Sequence, residues 1–171
     1  MKQNKKPVAV VIGPGGDICT PDLAAFAERL GLLLYTLGYL VACGGKRGVM
    51  EAVCKGARSE AAPDELVTMG ILPEADKKYA NEWCDIILPT GIGYARNMVL
   101  VNSADVIIAL GGGAGTLTEL AYAWKQAKPV YCFLGAGGWS EALAGKEIDS
   151  RHPGTMTGFH TLESLRDLLT G

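Results

Sequence analysis

The stretch Val106-Ile107-Ile108-Ala109-Leu110-Gly111-Gly112-Gly113-Ala114-Gly115-Thr116-Leu117-Thr118-Glu119 decides the fold. Its first five residues form an unbroken apolar run, as expected of a strand buried on both faces of a parallel sheet. Four glycines in the next five positions open directly into a helical pattern. Missing side chains at such a turn leave backbone N–H groups uncovered at the positive end of the helix dipole. That place favours an anion, most commonly phosphate.

The same alternation extends in both directions from this stretch. Upstream, apolar runs at 8–12, 39–43, 66–72 and 85–88 read as strands, and 129–134 reads as another downstream. Between them lie helical patterns. Thr20-Pro21-Asp22 supplies an N-cap, a proline at the first helical position and a first-turn acid. Leu23, Phe26, Ala27, Leu30 and Leu34 follow at helical spacing, and Gly38 is the stop. Further helices are expected over 49–59, 94–103, 116–126 and 162–169. Strands alternating with helices predict a doubly wound, Rossmann-like α/β domain. Its mainly parallel sheet has six or seven strands, with helices on both faces. One domain spanning 1–171 is expected, with 1–6 as a disordered N-terminal tail.

Composition narrows the function classes. The 171 residues are 49% apolar and 20% charged, with net charge −2 and no block of lysine or arginine. That argues against a nucleic-acid partner. The longest apolar segment, 31–43, is too short to span a bilayer and contains Thr36 and Gly38. No secretory signal pattern precedes Pro7. The five cysteines, Cys19, Cys43, Cys54, Cys84 and Cys132, show no Cys-x-x-Cys spacing. They read as small buried hydrophobes in a reducing, cytoplasmic compartment. With only His152 and His160 present, no metal site is expected.

Glycine-rich turns follow the first strand (Gly13, Gly15, Gly16), the second (Gly44, Gly45, Gly48, enclosing Lys46 and Arg47) and the fifth (Gly111, Gly112, Gly113, Gly115 around Ala114). All fall at strand carboxyl ends, where the ligand crevice of an open α/β sheet forms. They converge if the first strand lies between the second and the fifth. Helix–strand fitting is the structural alternative for any one of them. No Gly-Lys-Ser/Thr follows, and the fifth-strand loop lacks the Gly-x-Gly-x-x-Gly spacing, so a mononucleotide-sized ligand suits better than NAD.

In Pro89-Thr90-Gly91-Ile92-Gly93-Tyr94-Ala95-Arg96-Asn97, Arg96 is expected in the first helical turn at the same edge. Its guanidinium suits bidentate contact with a phosphate, or orientation of a carboxylate. A surface salt bridge is the structural alternative. Thr116 is a cap or a phosphate donor. If Thr116 is the N-cap, Glu119 stands at N3 and a capping box explains it without function.

Residues 44–51, 90–97 and 111–119 together resemble the LOG-like Rossmann family, which often carries the label lysine decarboxylase. Within it they are similar to the molybdenum cofactor carrier proteins. The resemblance covers nearly the whole chain. Phosphoribohydrolases of that family cleave the N-glycosidic bond of nucleoside 5′-monophosphates. By resemblance Arg96 and Glu119 match their catalytic pair, and Gly112, Gly113, Gly115 and Thr116 match their phosphate loop. Gly111 stands in place of a proline and Asn97 in place of a lysine, departures that fit the carrier-like members.

The resemblance implies a binding or carrier protein for a phosphorylated small molecule, either the phosphate-bearing molybdenum cofactor or a nucleotide. Hydrolysis of nucleoside monophosphates is the alternative, and nucleotide sensing without turnover a third. Thr90, Gly91 and Asn97 join the expected ligand-binding set. No cofactor for turnover is expected, and Lys46 lacks the marks of a Schiff-base lysine. A homodimer or homotetramer is implied, with 94–103 and Ala121-Tyr122-Ala123-Trp124 as candidate contact faces. The segment 135–139 reads equally as a lid or an ordinary turn.

Overall fold

The computed structural model describes residues 5–152 and 154–171, without the Asp17 side chain. Of the expected tail, residues 1–4 lie outside the described residues, while Lys6 is held by a 2.7 Å ion pair to Glu65. The strands are β1 (Val8–Ile12), β2 (Leu40–Cys43), β3 (Thr68–Leu72), β4 (Ile86–Pro89), β5 (Val106–Ala109), β6 (Val130–Phe133) and β7 (Met156–Phe159). They form one sheet in the order β4-β3-β2-β1-β5-β6-β7, and every neighbouring pair is parallel. Among the described residues the α-helices are α1 (Pro21–Thr36), α2 (Val49–Arg58), α3 (Arg96–Ser103), α4 (Ala114–Lys125), α5 (Gly138–Leu143) and α6 (Leu162–Thr170).

The apolar runs are continuous because both sheet faces are covered. Ala9, Val11, Val41, Cys43 and Ile108 point toward α1, α2 and α6. Val10, Ile12, Ala42, Ile107 and Ala109 point toward α3 and α4, where Leu100, Leu120 and Trp124 meet them. Alternate residues of one strand thus feed two separate cores, as strand geometry requires. The α1 start matches its reading, since Thr20 Oγ1 accepts from Leu23 N–H at 3.3 Å. Helices α1 and α2 touch backbone to backbone. A Cβ at Gly31 would collide with the Val53 carbonyl, and one at Gly56 with that of Glu28.

β7 escaped the sequence reading. It is four residues long, and its Gly158 supplies no apolar side chain to the pattern. The glycine is needed there, because a Cβ would lie 2.7 Å from Leu134 Cδ1. Of the suggested contact faces, Ala123 and Trp124 are buried in the core and unavailable. Among the described residues no helix is long and apolar enough to cross a membrane.

Candidate functional site

The chain runs outward from β1 through β2, β3 and β4, then returns to the other side of β1 as β5. The connections leaving β1 and β5 therefore diverge at their carboxyl ends, which opens a crevice at this switch point. A cleft of about 490 Å³ lies there, lined by Gly13 and Gly15, by Gly44, and by Gly113, Ala114 and Gly115. Arg96, Asn97, Thr116 and Glu119 line it too. Since β1 lies between β2 and β5, one or more glycines of each of the three loops reach this cleft.

Glycine at 113 and 115 keeps the α4 terminus bare. The N-cap, Gly113, offers no side-chain cap, and a Cβ at either position would meet open space. Among the described residues no side chain caps the first amides of α4, which leaves them to an external acceptor. Thr116 is the third residue of α4, not its cap, and sits buried against Gly112. That placement overturns the capping-box explanation of Glu119, which lies nearly two turns in.

Glu119 instead accepts from Arg96 Nη1 at 3.2 Å, with the two side chains 7% and 12% exposed. Arg96 closes a short 3₁₀ turn (Gly93–Ala95) and opens α3, so its position is set at the strand edge. A surface salt bridge is thereby excluded. Gly44 is small because a Cβ there would run into the Arg96 guanidinium. Burial pushes the Glu119 carboxyl up to about 7, against the opposing pull of Arg96. Arg96 Nε and Asn97 Oδ1 are buried with no hydrogen-bond partner among the described residues. Unmet groups of this kind are costly unless something fills them. The Asn97 amide donates to Thr118 Oγ1 at 2.9 Å, tying α3 to α4.

Other expected site residues lie elsewhere. Lys46, Arg47 and Gly16 line an adjoining groove of about 680 Å³ that shares Gly15 with the cleft. There Lys46 Nζ pairs with Glu74 Oε1 at 2.5 Å and lies over the Tyr79 ring. Gly45 and Gly48 serve packing, with φ of +73° and +77°. A Cβ on Gly45 would be 2.8 Å from Leu72 Cδ2, and one on Gly48 2.7 Å from the Pro14 carbonyl. Thr90 Oγ1 donates to the Leu72 carbonyl at 2.6 Å, and Gly91 N–H to that of Glu74 at 3.0 Å. Both close a turn and line neither space.

Gly111 and Gly112 are gripped by the segment left open in sequence. Gly111 N–H donates to Ser140 Oγ at 2.7 Å, and Trp139 N–H donates to the Gly112 carbonyl at 3.0 Å. Residues 135–139 thus lead into a clamp on the β5 loop. Sequence spacing did not single out Pro14, Ile18 and Leu100, which also line the cleft. They carry no chemical signature, only shape.

A family model described as the SLOG cluster4 family matches residues 6–159. An X-ray structure from a structural genomics consortium is 31% identical, with a TM-score of 0.86, over 95% of this chain and 98% of that one. The molybdenum cofactor binding protein of Rippkaea orientalis is 40% identical over 76% of this chain and 77% of that one, with a TM-score of 0.70. The molybdenum cofactor carrier protein of Chlamydomonas reinhardtii is 34% identical over 81% of each chain, also with a TM-score of 0.70. A cytokinin riboside 5′-monophosphate phosphoribohydrolase of Mycobacterium marinum is 30% identical over 62% of this chain and 56% of its own length. The chain belongs to the SLOG cluster4 family, a LOG-like group.

Proposed function

We propose that this SLOG cluster4 protein is a binding or carrier protein for a phosphorylated small molecule, with the molybdenum cofactor as its cargo. One observation carries the reading: the uncapped α4 terminus, with open space over Gly113 and Gly115, faces a cleft that also contains a buried guanidinium. A phosphate monoester satisfies such amides and gains from the helix dipole. Arg96 Nε–H and Asn97 Oδ1 are the buried polar atoms still lacking partners at the site. They suit the polar edge of the cargo. Beside the glycine loop, a second hollow of about 640 Å³ is walled by Ile18, Phe26 and Phe133, whose phenyl rings stack at 4.1 Å. It suits the flat remainder of a pterin or a base. Likeness to the Rippkaea and Chlamydomonas proteins supports the choice of cargo.

Hydrolysis of nucleoside 5′-monophosphates is the second reading, favoured by the Arg96–Glu119 pair and by a carboxyl pushed up to about 7. Such a group gives or takes a proton near neutrality while water adds at the anomeric carbon and the base departs. Here Arg96 would orient the phosphate or Glu119. Incubation with AMP separates the two. Saturable molybdopterin binding, lost in Gly113→Asp and without release of adenine, is the result expected of a carrier. Sustained adenine release abolished in Glu119→Ala overturns it.

The expected dimer or tetramer belongs to the same proposal. Ile92 and Tyr94 are exposed in the turn before α3 and Met98 on α3 itself, with Leu88 exposed on edge strand β4. These side chains suit a contact between copies. Sedimentation at low micromolar concentration showing monomer alone would reject it.

A further inference from the structure

The five cysteines look unrelated in sequence, yet three of them meet. Cys43 ends β2, Cys54 faces it from α2, and Cys84 stands in the turn before β4. Their sulfurs all lie within 4.8 Å of one another, and Cys43 Sγ and Cys54 Sγ are 3.5 Å apart. Among the described residues no histidine or carboxylate joins the three. We propose that Cys43, Cys54 and Cys84 form a binding site for a soft monovalent metal ion of the cuprous type.

The dimensions agree with that chemistry. Metal–sulfur bonds of about 2.3 Å place three sulfurs about 4 Å apart around a trigonal ion. The cluster needs only small rotations of its side chains to reach this. A purely sulfur set selects soft ions, and three ligands suit Cu(I), whereas structural zinc takes four. Burial fits as well, since Cys43 and Cys54 are fully enclosed while Cys84 is part-exposed and provides the approach. Space for the Cys84 sulfur is kept by Gly70, where a Cβ would sit 2.8 Å from it.

A backbone donor already faces the cluster: the Gly45 N–H donates to Cys43 Sγ at 3.3 Å, a contact that a metal-bound sulfur also accepts. Cys132 is the internal contrast, buried but outside the cluster. Loading moves no electrons. The ion enters as Cu(I), metal–sulfur bonds form, and thiol protons leave to solvent. Nothing in this assignment depends on what the switch-point cleft holds.

The test is an anaerobic titration of the reduced full-length chain against Cu(I) held by bathocuproine disulfonate. One equivalent of copper should pass to the protein, and X-ray absorption should show a shell of sulfur only. Cys84→Ser should weaken binding by about 100-fold or more through loss of one ligand, whereas Cys132→Ser should leave it unchanged. Thermal melts confirm that each variant is folded. In the wild type, Cu(I) loading should also slow alkylation of Cys84, a readout that needs no variant. Failure to withdraw copper from the chelator would overturn the assignment. So would equal losses in the two variants, an oxygen or nitrogen shell, or a Cys43–Cys54 disulfide forming in place of a metal complex.

Discussion

Two glycine loops at the same edge of the sheet put the same residue to opposite uses. In the loop after β2, glycine is consumed by the fold. Gly44 makes room for the Arg96 guanidinium, and Gly45 and Gly48 take left-handed conformations against Leu72 and Pro14. After β5, Gly113 and Gly115 face open space, and nothing among the described residues requires their smallness. Glycine that the fold does not need is the more informative kind. Under the proposed function, that room admits a guest that approaches the backbone.

The largest effect that sharpens this contrast is expected from Gly113→Asp. A carboxylate at the bare α4 terminus repels phosphate and fills the space it needs. Calorimetric affinity for the phosphorylated ligand should fall by about three orders of magnitude, or about 4 kcal/mol. The melting temperature should hold, and an equal loss of stability would show that Gly113 also belongs to the packed kind.

Next in size is a pH effect at the pair that bridges the two loops. Glu119 titrates near 7 when folded, above the ordinary carboxylate range it has in the unfolded chain. Between those values the folded protein holds a proton that the unfolded chain has released. Stability is therefore greatest at acid pH and declines as pH rises through about 7. The loss is on the order of 3 kcal/mol. Urea melts at pH 5 and pH 8 should show it, and Glu119→Gln should flatten it.

Gly48→Ala is expected to cost about 2 kcal/mol, through a positive φ and contact with the Pro14 carbonyl. Ligand affinity per folded molecule should survive. The smallest effect breaks the symmetry most cleanly. Gly115 lies within α4 and a Cβ there would meet open space, so Gly115→Ala should stabilise the fold by about 0.5 kcal/mol while weakening ligand binding. A destabilised Gly115→Ala would erase the distinction between the loops.

Much of this architecture was legible before any coordinates. Continuous apolar runs such as 106–110 announce strands covered on both sides, and three glycine turns in register announce where they end. Arg96 and Glu119 were legible as a pair only through family resemblance, because 23 residues separate them. Spacing rules also misplaced the α4 start by two residues. The helix begins at Ala114 on a glycine cap, so no capping side chain marks it. The cysteine cluster was invisible for a related reason. Its members come from a strand, a helix and a turn, and only packing brings them together.

The grip of Ser140 on Gly111, beside that of Trp139 on Gly112, has a consequence for motion. The amide that shapes the β5 loop is sequestered by a side chain 29 residues downstream. Gly111 should then exchange its hydrogen for deuterium only when α5 detaches, so the two segments open as one cooperative unit. Ser140→Ala would uncouple them. The Gly111 amide would become labile while the sheet beneath it stayed protected.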